Sequence, residues 1–158
     1  MKDFMFKFAP LITGVAVLLL LIVVQASFDL SYKNLSGFEN ILESMVNFLS
    51  IVIGFYSAFY GMIISMTKTD FLKELSKSKY KNVLPKILIY SLLSSFAALI
   101  TTILLQVVKN YPSTFANVLY IFWGFLVGVF ITYSIQTALL SIAMIFYSEK
   151  KTIGKVDL

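Results

Sequence analysis

The sequence predicts an all-α, polytopic integral membrane protein of four transmembrane helices with both termini in the cytoplasm. Three observations carry that reading. The 158 residues are 59% hydrophobic and 13% charged, with a mean hydropathy of +0.88. A soluble domain has roughly 25% charged and about 45–50% apolar residues. The charges are also not scattered, because they bound four long uncharged runs. Finally, the 13 basic residues, all lysine, fall almost entirely on one side of those runs. A chain of this length makes about one domain, so 1–158 is read as a single four-helix transmembrane domain.

Each helix follows from the charge map. About 20 apolar residues are needed to cross roughly 30 Å of hydrocarbon. Lys7 and Asp29 bound the first run, which places a helix at about 8–28. Glu43 and Lys68 bound the second. Before it, Ser36-Gly37-Phe38-Glu39 fits a capping box, with Ser36 accepting and Glu39 reaching back. The second helix is therefore placed at about 38–67, with Phe38, Ile41, Leu42 and Met45 on its apolar face. Lys86 and Lys109 bound the third, at about 86–108, restarted by Pro85. The fourth run, Asn110 to Ser148, exceeds a simple crossing, and its helix is placed at about 115–147. Tyr111, Tyr120, Trp123, Phe146 and Tyr147 are expected as interfacial anchors, with the excess length tilting or projecting beyond the bilayer. The order reads as two hairpins in tandem.

Lysine positions set the direction. With four crossings, Lys2 and Lys7, the basic loop over 68–86, and Lys150, Lys151 and Lys155 share one side. Only Lys33 and Lys109 lie opposite. Cytoplasmic loops carry the lysine excess, so the expected location is the cell inner (cytoplasmic) membrane, multi-pass. Val24-Gln25-Ala26 resembles a signal-peptide cleavage site, but the first run is longer than the 7–15 residues typical of a signal h-region. The first helix is read as retained.

Composition narrows the chemistry. There is no Cys, His or Arg, which removes thiolate and imidazole metal or haem sites and the Ser-His-Asp and Cys-His nucleophile arrangements. Neither an enzyme nor a cofactor is expected, and no residue is assigned a catalytic or metal-binding role. The runs themselves hold no ionisable acid or base, whereas proton relays, coupled transporters and voltage sensors place such groups at depth.

What the runs do hold is a set of small and polar stripes. The second helix carries Asn47, Ser50, Gly54, Ser57, Gly61 and Ser65 at spacings of three, four, three, four and four, one continuous face. Glu43 and Glu39 extend it outward. These six residues, with Gln136, are candidates for lining a pore or a helix interface, and Glu39 and Glu43 for an acidic outer vestibule that draws in cations. The ordinary alternatives are close helix packing for the stripe and a solvated turn for the carboxylates. On the fourth helix Gly124, Gly128 and Thr132 recur every four residues and are read as packing positions. The first helix, poorest in such residues, is expected to face lipid.

The basic loop contains Phe71, Leu72 and Leu75, which fit a short amphipathic helix on the inner leaflet. Lys73, Lys77, Lys79 and Lys81 are candidates for holding anionic lipid, an acidic cytosolic partner or an anionic signal. Nucleic acid is not expected as a primary ligand, since Tyr80 alone accompanies these lysines as a stacking side chain.

Four crossings with cytoplasmic termini, tiny outer loops and the basic loop over 68–86 together resemble the small four-helix membrane effectors of bacterial anti-phage systems of the Kiwa and Hailong types. The resemblance lies in general plan and transfers no residue role. It implies a dormant homo-oligomer that forms a pore or disrupts the membrane once a cytosolic sensor reports infection. A phage holin-like lesion former and a non-conducting accessory or assembly subunit of a larger complex are the alternative readings.

Overall fold

A computed structural model describes residues 2–28, 31–65, 83–111 and 113–153, with side chains placed at 7–28, 31–61, 86–111 and 113–142. Four helices account for nearly all of them: α1 (Lys2–Phe28), α2 (Phe38–Ser65), α3 (Val83–Val108) and α4 (Thr114–Ile153). Each contains a stretch long and apolar enough to cross a bilayer, namely Lys7–Phe28, Phe38–Gly61, Lys86–Val108 and Thr114–Ile142.

The starts of the helices have local causes. Gly37 adopts a φ of +78°, which a side chain would resist, and turns the chain into α2. Ile41 N–H donates to the Gly37 carbonyl, so Gly37 is the cap residue, and Ser36 makes no capping bond among the described residues. The expected capping box is therefore replaced, because the Glu39 carboxylate is held by Lys109 instead. Ser113 caps α4, accepting from the Ala116 N–H at 3.2 Å. The 40 residues of α4 form one uninterrupted helix of about 60 Å at about 1.5 Å per residue. That is roughly twice the hydrocarbon thickness, so one end extends past any bilayer the other helices span.

The helices pack in the lateral order α1, α4, α3, α2, with α4 central. The tandem-hairpin expectation fails at its first pair: α1 does not pack along α2 but along α4. Glycine decides this. A side chain at Gly14 would sit 2.6 Å from Val129, and one at Gly128 would sit 2.9 Å from the Thr13 carbonyl. Gly124 is likewise closed off by Leu21. The missing side chains let α1 and α4 approach backbone to backbone. The partners pair head to tail along every packed pair. On α1 and α4, Gln25 meets Asn117 while Thr13 meets Thr132. On α3 and α4, Thr102 meets Trp123 while Ser91 meets Thr137. The chain therefore runs up, down, up, down, and α1 begins at the end where α4 finishes.

The core has two layers. One gathers Tyr32, Phe38, Leu42, Leu105, Ala116, Tyr120 and Trp123 near the 31–37 turn, and the other Leu49, Ala98 and Phe130 further along. Phe38, Leu42, Leu49 and Tyr56 form the buried seam of α2, while Ile41 is exposed. Tyr120 and Trp123 belong to the first layer and are buried, not interfacial anchors as expected. Phe38 meets both rings edge-on, and the Trp123 indole N–H donates to Thr102 at 2.9 Å. Tyr111 is exposed as an anchor would be. Phe146 and Tyr147 lie outside the residues with described side chains.

Candidate functional site

The polar residues of the four helices divide into two populations. Most of those of α1, α3 and α4 are buried or bonded within the protomer, Gln106 of α3 being one that forms no hydrogen bond among the described residues. Thr13 joins the Thr132 hydroxyl and the Gly128 carbonyl of α4. Ser91 joins Thr137 and the Tyr133 carbonyl, and Ser94, Ser95, Thr101, Thr102 and Ser141 donate back to their own helices. Gln25 donates to Asn117 at 2.9 Å. Gln136, grouped with the pore or interface candidates, is buried inside the protomer. Gly124, Gly128 and Thr132 all face α1.

The second population lies on α2 and points away from the protomer. Asn47, Ser50, Gly54, Ser57 and Gly61 are all exposed. A side chain added at Gly54 or Gly61 would meet nothing within 4 Å. The contrast with Gly14 and Gly128 is direct, since the same residue type serves closeness on α4 and serves nothing on α2 within one copy. Ser65 ends α2, and its side chain lies outside the described residues. On the opposite side of α2, Tyr56 donates to Ser134 at 3.0 Å and anchors the helix to α4.

The members of this face are not chemically equivalent. Ser50 donates to the Val46 carbonyl at 2.7 Å and Ser57 to the Ile53 carbonyl at 2.9 Å. Such back-bonded hydroxyls tolerate an apolar environment. Asn47 forms no hydrogen bond among the described residues. A carboxamide left unpaired in an apolar medium costs on the order of 2–7 kcal/mol, depending on reference state. Interhelical polar contacts in membranes, by comparison, return about 0.6 kcal/mol on average. The need of the amide for a partner thus exceeds the gain from any serine on the face.

Comparison with known protein families, curated proteins and solved structures finds no match for the chain. The site is therefore argued from its own geometry.

The two carboxylates beside the stripe are also distinct. Glu39 accepts from Lys109 Nζ at 2.9 Å across the α2–α3 contact, and the lysine side chain is 14% exposed against 67% for Glu39. Its charge is largely neutralised in place. Glu43, one turn along, is exposed and forms no ion pair among the described residues. Both lie inside the apolar span Phe38–Gly61, so the uncharged run that begins at Ser44 is not the whole of the membrane-length helix. Measured along the helix at about 1.5 Å per residue, Glu43 lies about 6 Å and Asn47 about 12 Å beyond the Glu39–Lys109 pair.

Lys33 stands over the Tyr32 ring at 5.8 Å from its centroid. The buried Tyr32 hydroxyl has no partner among the described residues. Lys73, Lys77, Lys79 and Lys81, together with the expected amphipathic segment, lie outside the described residues. Sequence reasoning missed the Glu39–Lys109 pair and the role of Gly14. The first had no short-range signal, as the partners are distant in sequence. The second had one: Gly14 is the single glycine of the first helix and follows Thr13.

Proposed function

We propose that this chain is a multi-pass protein of the cytoplasmic membrane that assembles from several copies into a gated pore or membrane-perturbing complex. It would act as a dormant effector in bacterial anti-phage defence, released by a cytosolic partner or an anionic signal. The observation that carries the assembly is the outward face of α2, polar and small, with its glycines open, in a protomer that buries most of the polar residues of the other helices. A monomer in lipid gains nothing from that face, whereas a ring of copies gives it a shared aqueous or polar axis. The lysine asymmetry supports the orientation, and the basic loop is the segment on which a cytosolic trigger would act.

In this reading Glu43, not Glu39, supplies the charge of the outer vestibule. The test is reconstitution of the full chain in liposomes with ion-flux and reversal-potential measurements. Conductance by an oligomer, shifted from cation toward anion preference by Glu43→Lys, is the expected result. A detergent monomer without conductance sinks the pore and leaves an accessory subunit. Killing on simple induction, without any trigger, moves the assignment to a holin-like lesion former.

A further inference from the structure

We propose that α1 is a swinging arm: the part of it that carries Pro10, Thr13 and Gly14 leaves α4 as one piece, pivoting at its Leu21–Gln25 end, while α2, α3 and α4 stay packed. The inference is independent of whether copies assemble or conduct.

Burial is the first observation. Of the most apolar 18-residue stretch in each helix, 6% is buried in α1, against 17% in α2, 44% in α3 and 33% in α4. Among the described side chains of α1, Pro10 and Gly14 are the buried ones. Elements that open first are those with the fewest buried apolar contacts. The core also divides α1 along its length. Leu21 packs on the layer of Phe38, Tyr120 and Trp123, and the turn that follows α1 places Tyr32 inside that layer. Among the described residues, none of α1 joins or packs on the second layer, Leu49, Ala98 and Phe130. One end of α1 is therefore tied to the core and the rest is not.

Hydrogen-bond chemistry is the second observation. Thr13 reaches Thr132 and the Gly128 carbonyl across the contact. The same hydroxyl lies 3.0 Å from the Ala9 and Pro10 carbonyls of its own helix, and the Thr132 hydroxyl lies 3.1 Å from the Gly128 carbonyl of its own. Both keep a partner when the arm swings away, so lipid can take the place of the opposing helix without orphaning either group. The bonds that hold the other helices have no such substitute. The Trp123 indole N–H uses Thr102 of α3, and the Tyr56 hydroxyl of α2 uses Ser134 of α4. Neither ring can turn back to its own backbone as a threonine hydroxyl does, so parting those helices leaves a polar group unpaired in an apolar medium. The amide pair of Gln25 and Asn117 is equally without substitute, and it lies in the last turn of α1, at the pivot. Docking of the arm thus depends on the close backbone approach at Gly14 and Gly128, a dispersion contact that is lost on the first separation.

The chain has no native cysteine and a single tryptophan, which makes the test clean. Three full-length double variants in mild detergent are briefly oxidised at rising fractions of SDS and scored for the internal disulfide. Thr13→Cys with Thr132→Cys reports the arm, Leu21→Cys with Gly124→Cys the pivot, and Ser91→Cys with Thr137→Cys the α3–α4 contact. Trp123 emission, from a ring buried between α2, α3 and α4, reports the core. The arm cross-link is expected to fall at least fivefold at an SDS fraction that leaves the other two cross-links and the emission unchanged. Loss of all signals together makes the four helices one cooperative unit and overturns the proposal, and loss of arm and pivot together overturns the pivot. Gly128→Leu, added to the arm variant without SDS, is expected to lower its cross-link at least fivefold while Trp123 emission stays put. A retained cross-link, or an emission shift that accompanies its loss, also overturns the swinging arm.

Discussion

Gly128 and Gly54 show how one residue type can serve opposite ends. At Gly128 an added methyl group would press on the Thr13 carbonyl and the Gly14 backbone, which cannot step aside as a flexible side-chain tip could. Gly128→Leu is expected to lower protomer stability by about 1–3 kcal/mol through overpacking. Gly54→Leu is expected to change it by no more than about 0.5 kcal/mol, because nothing lies within 4 Å. Denaturant titration of protein held as monomers in detergent compares the two, and equal losses would refute the assignment of Gly54 to an outer face. A further residue-scale prediction concerns Trp123. Replacing it by Phe removes the hydrogen bond to Thr102 while keeping most of the aromatic packing on Phe38 and Tyr120. A loss of about 1 kcal/mol is expected for that bond, with the remaining Thr102 hydroxyl still bonded to the Ala98 carbonyl.

At the scale of elements, α2 and α3 are joined at one end by Glu39 and Lys109 and along their length by Leu42, Leu49, Ala98 and Leu105. The ion pair is half in solvent, since Glu39 is 67% exposed, so its net contribution is expected at about 1 kcal/mol or less. Lys109→Ala is expected to cost more than Glu39→Ala, because the lysine stem is itself buried and its removal also loses packing. Thermal unfolding of the two variants and of the Glu39→Lys, Lys109→Glu exchange separates charge from packing. The exchange is expected to recover part of the loss if the charges attract across the contact. Element starts were only partly legible. Ser113 before α4 is a cap that the sequence signals directly, whereas Ser36 carries the same signal and is passed over. The difference is tertiary: Glu39, the residue that would complete the box, has within reach the cation of Lys109, just past the end of α3.

For the molecule as a whole, the packed pairs fix an up-down-up-down path, and the direction proposed for it rests on the lysine distribution. A cysteine placed at Lys33 is expected to react with a membrane-impermeant thiol reagent from outside intact cells. One placed at Lys77 is expected to react only after permeabilisation. Labelling of both from the outside would reverse the proposed topology. The central place of α4 also accounts for its composition. It must meet α1 through glycine on one side and α3 through Ser91, Thr137 and Trp123 on another, so its small and polar residues encircle it instead of lining one stripe.

The sequence by itself determined the all-helical class and four membrane-length helices, because charge is sparse in runs apolar and long enough to cross hydrocarbon. It also marked the small and polar stripes of the second and fourth helices, since spacing along a helix follows from 3.6 residues per turn. What it could not assign was the use of each stripe. Gly124 with Gly128 and Gly54 with Gly61 are alike in returning to one face of their helix, as are Glu39 and Glu43 in charge. Only the tertiary structure put α1 against the first pair, left the second pair open, and gave Lys109 to Glu39 alone. A side chain's neighbours come from distant parts of the chain, and nothing local in the sequence records which face of a helix will find one.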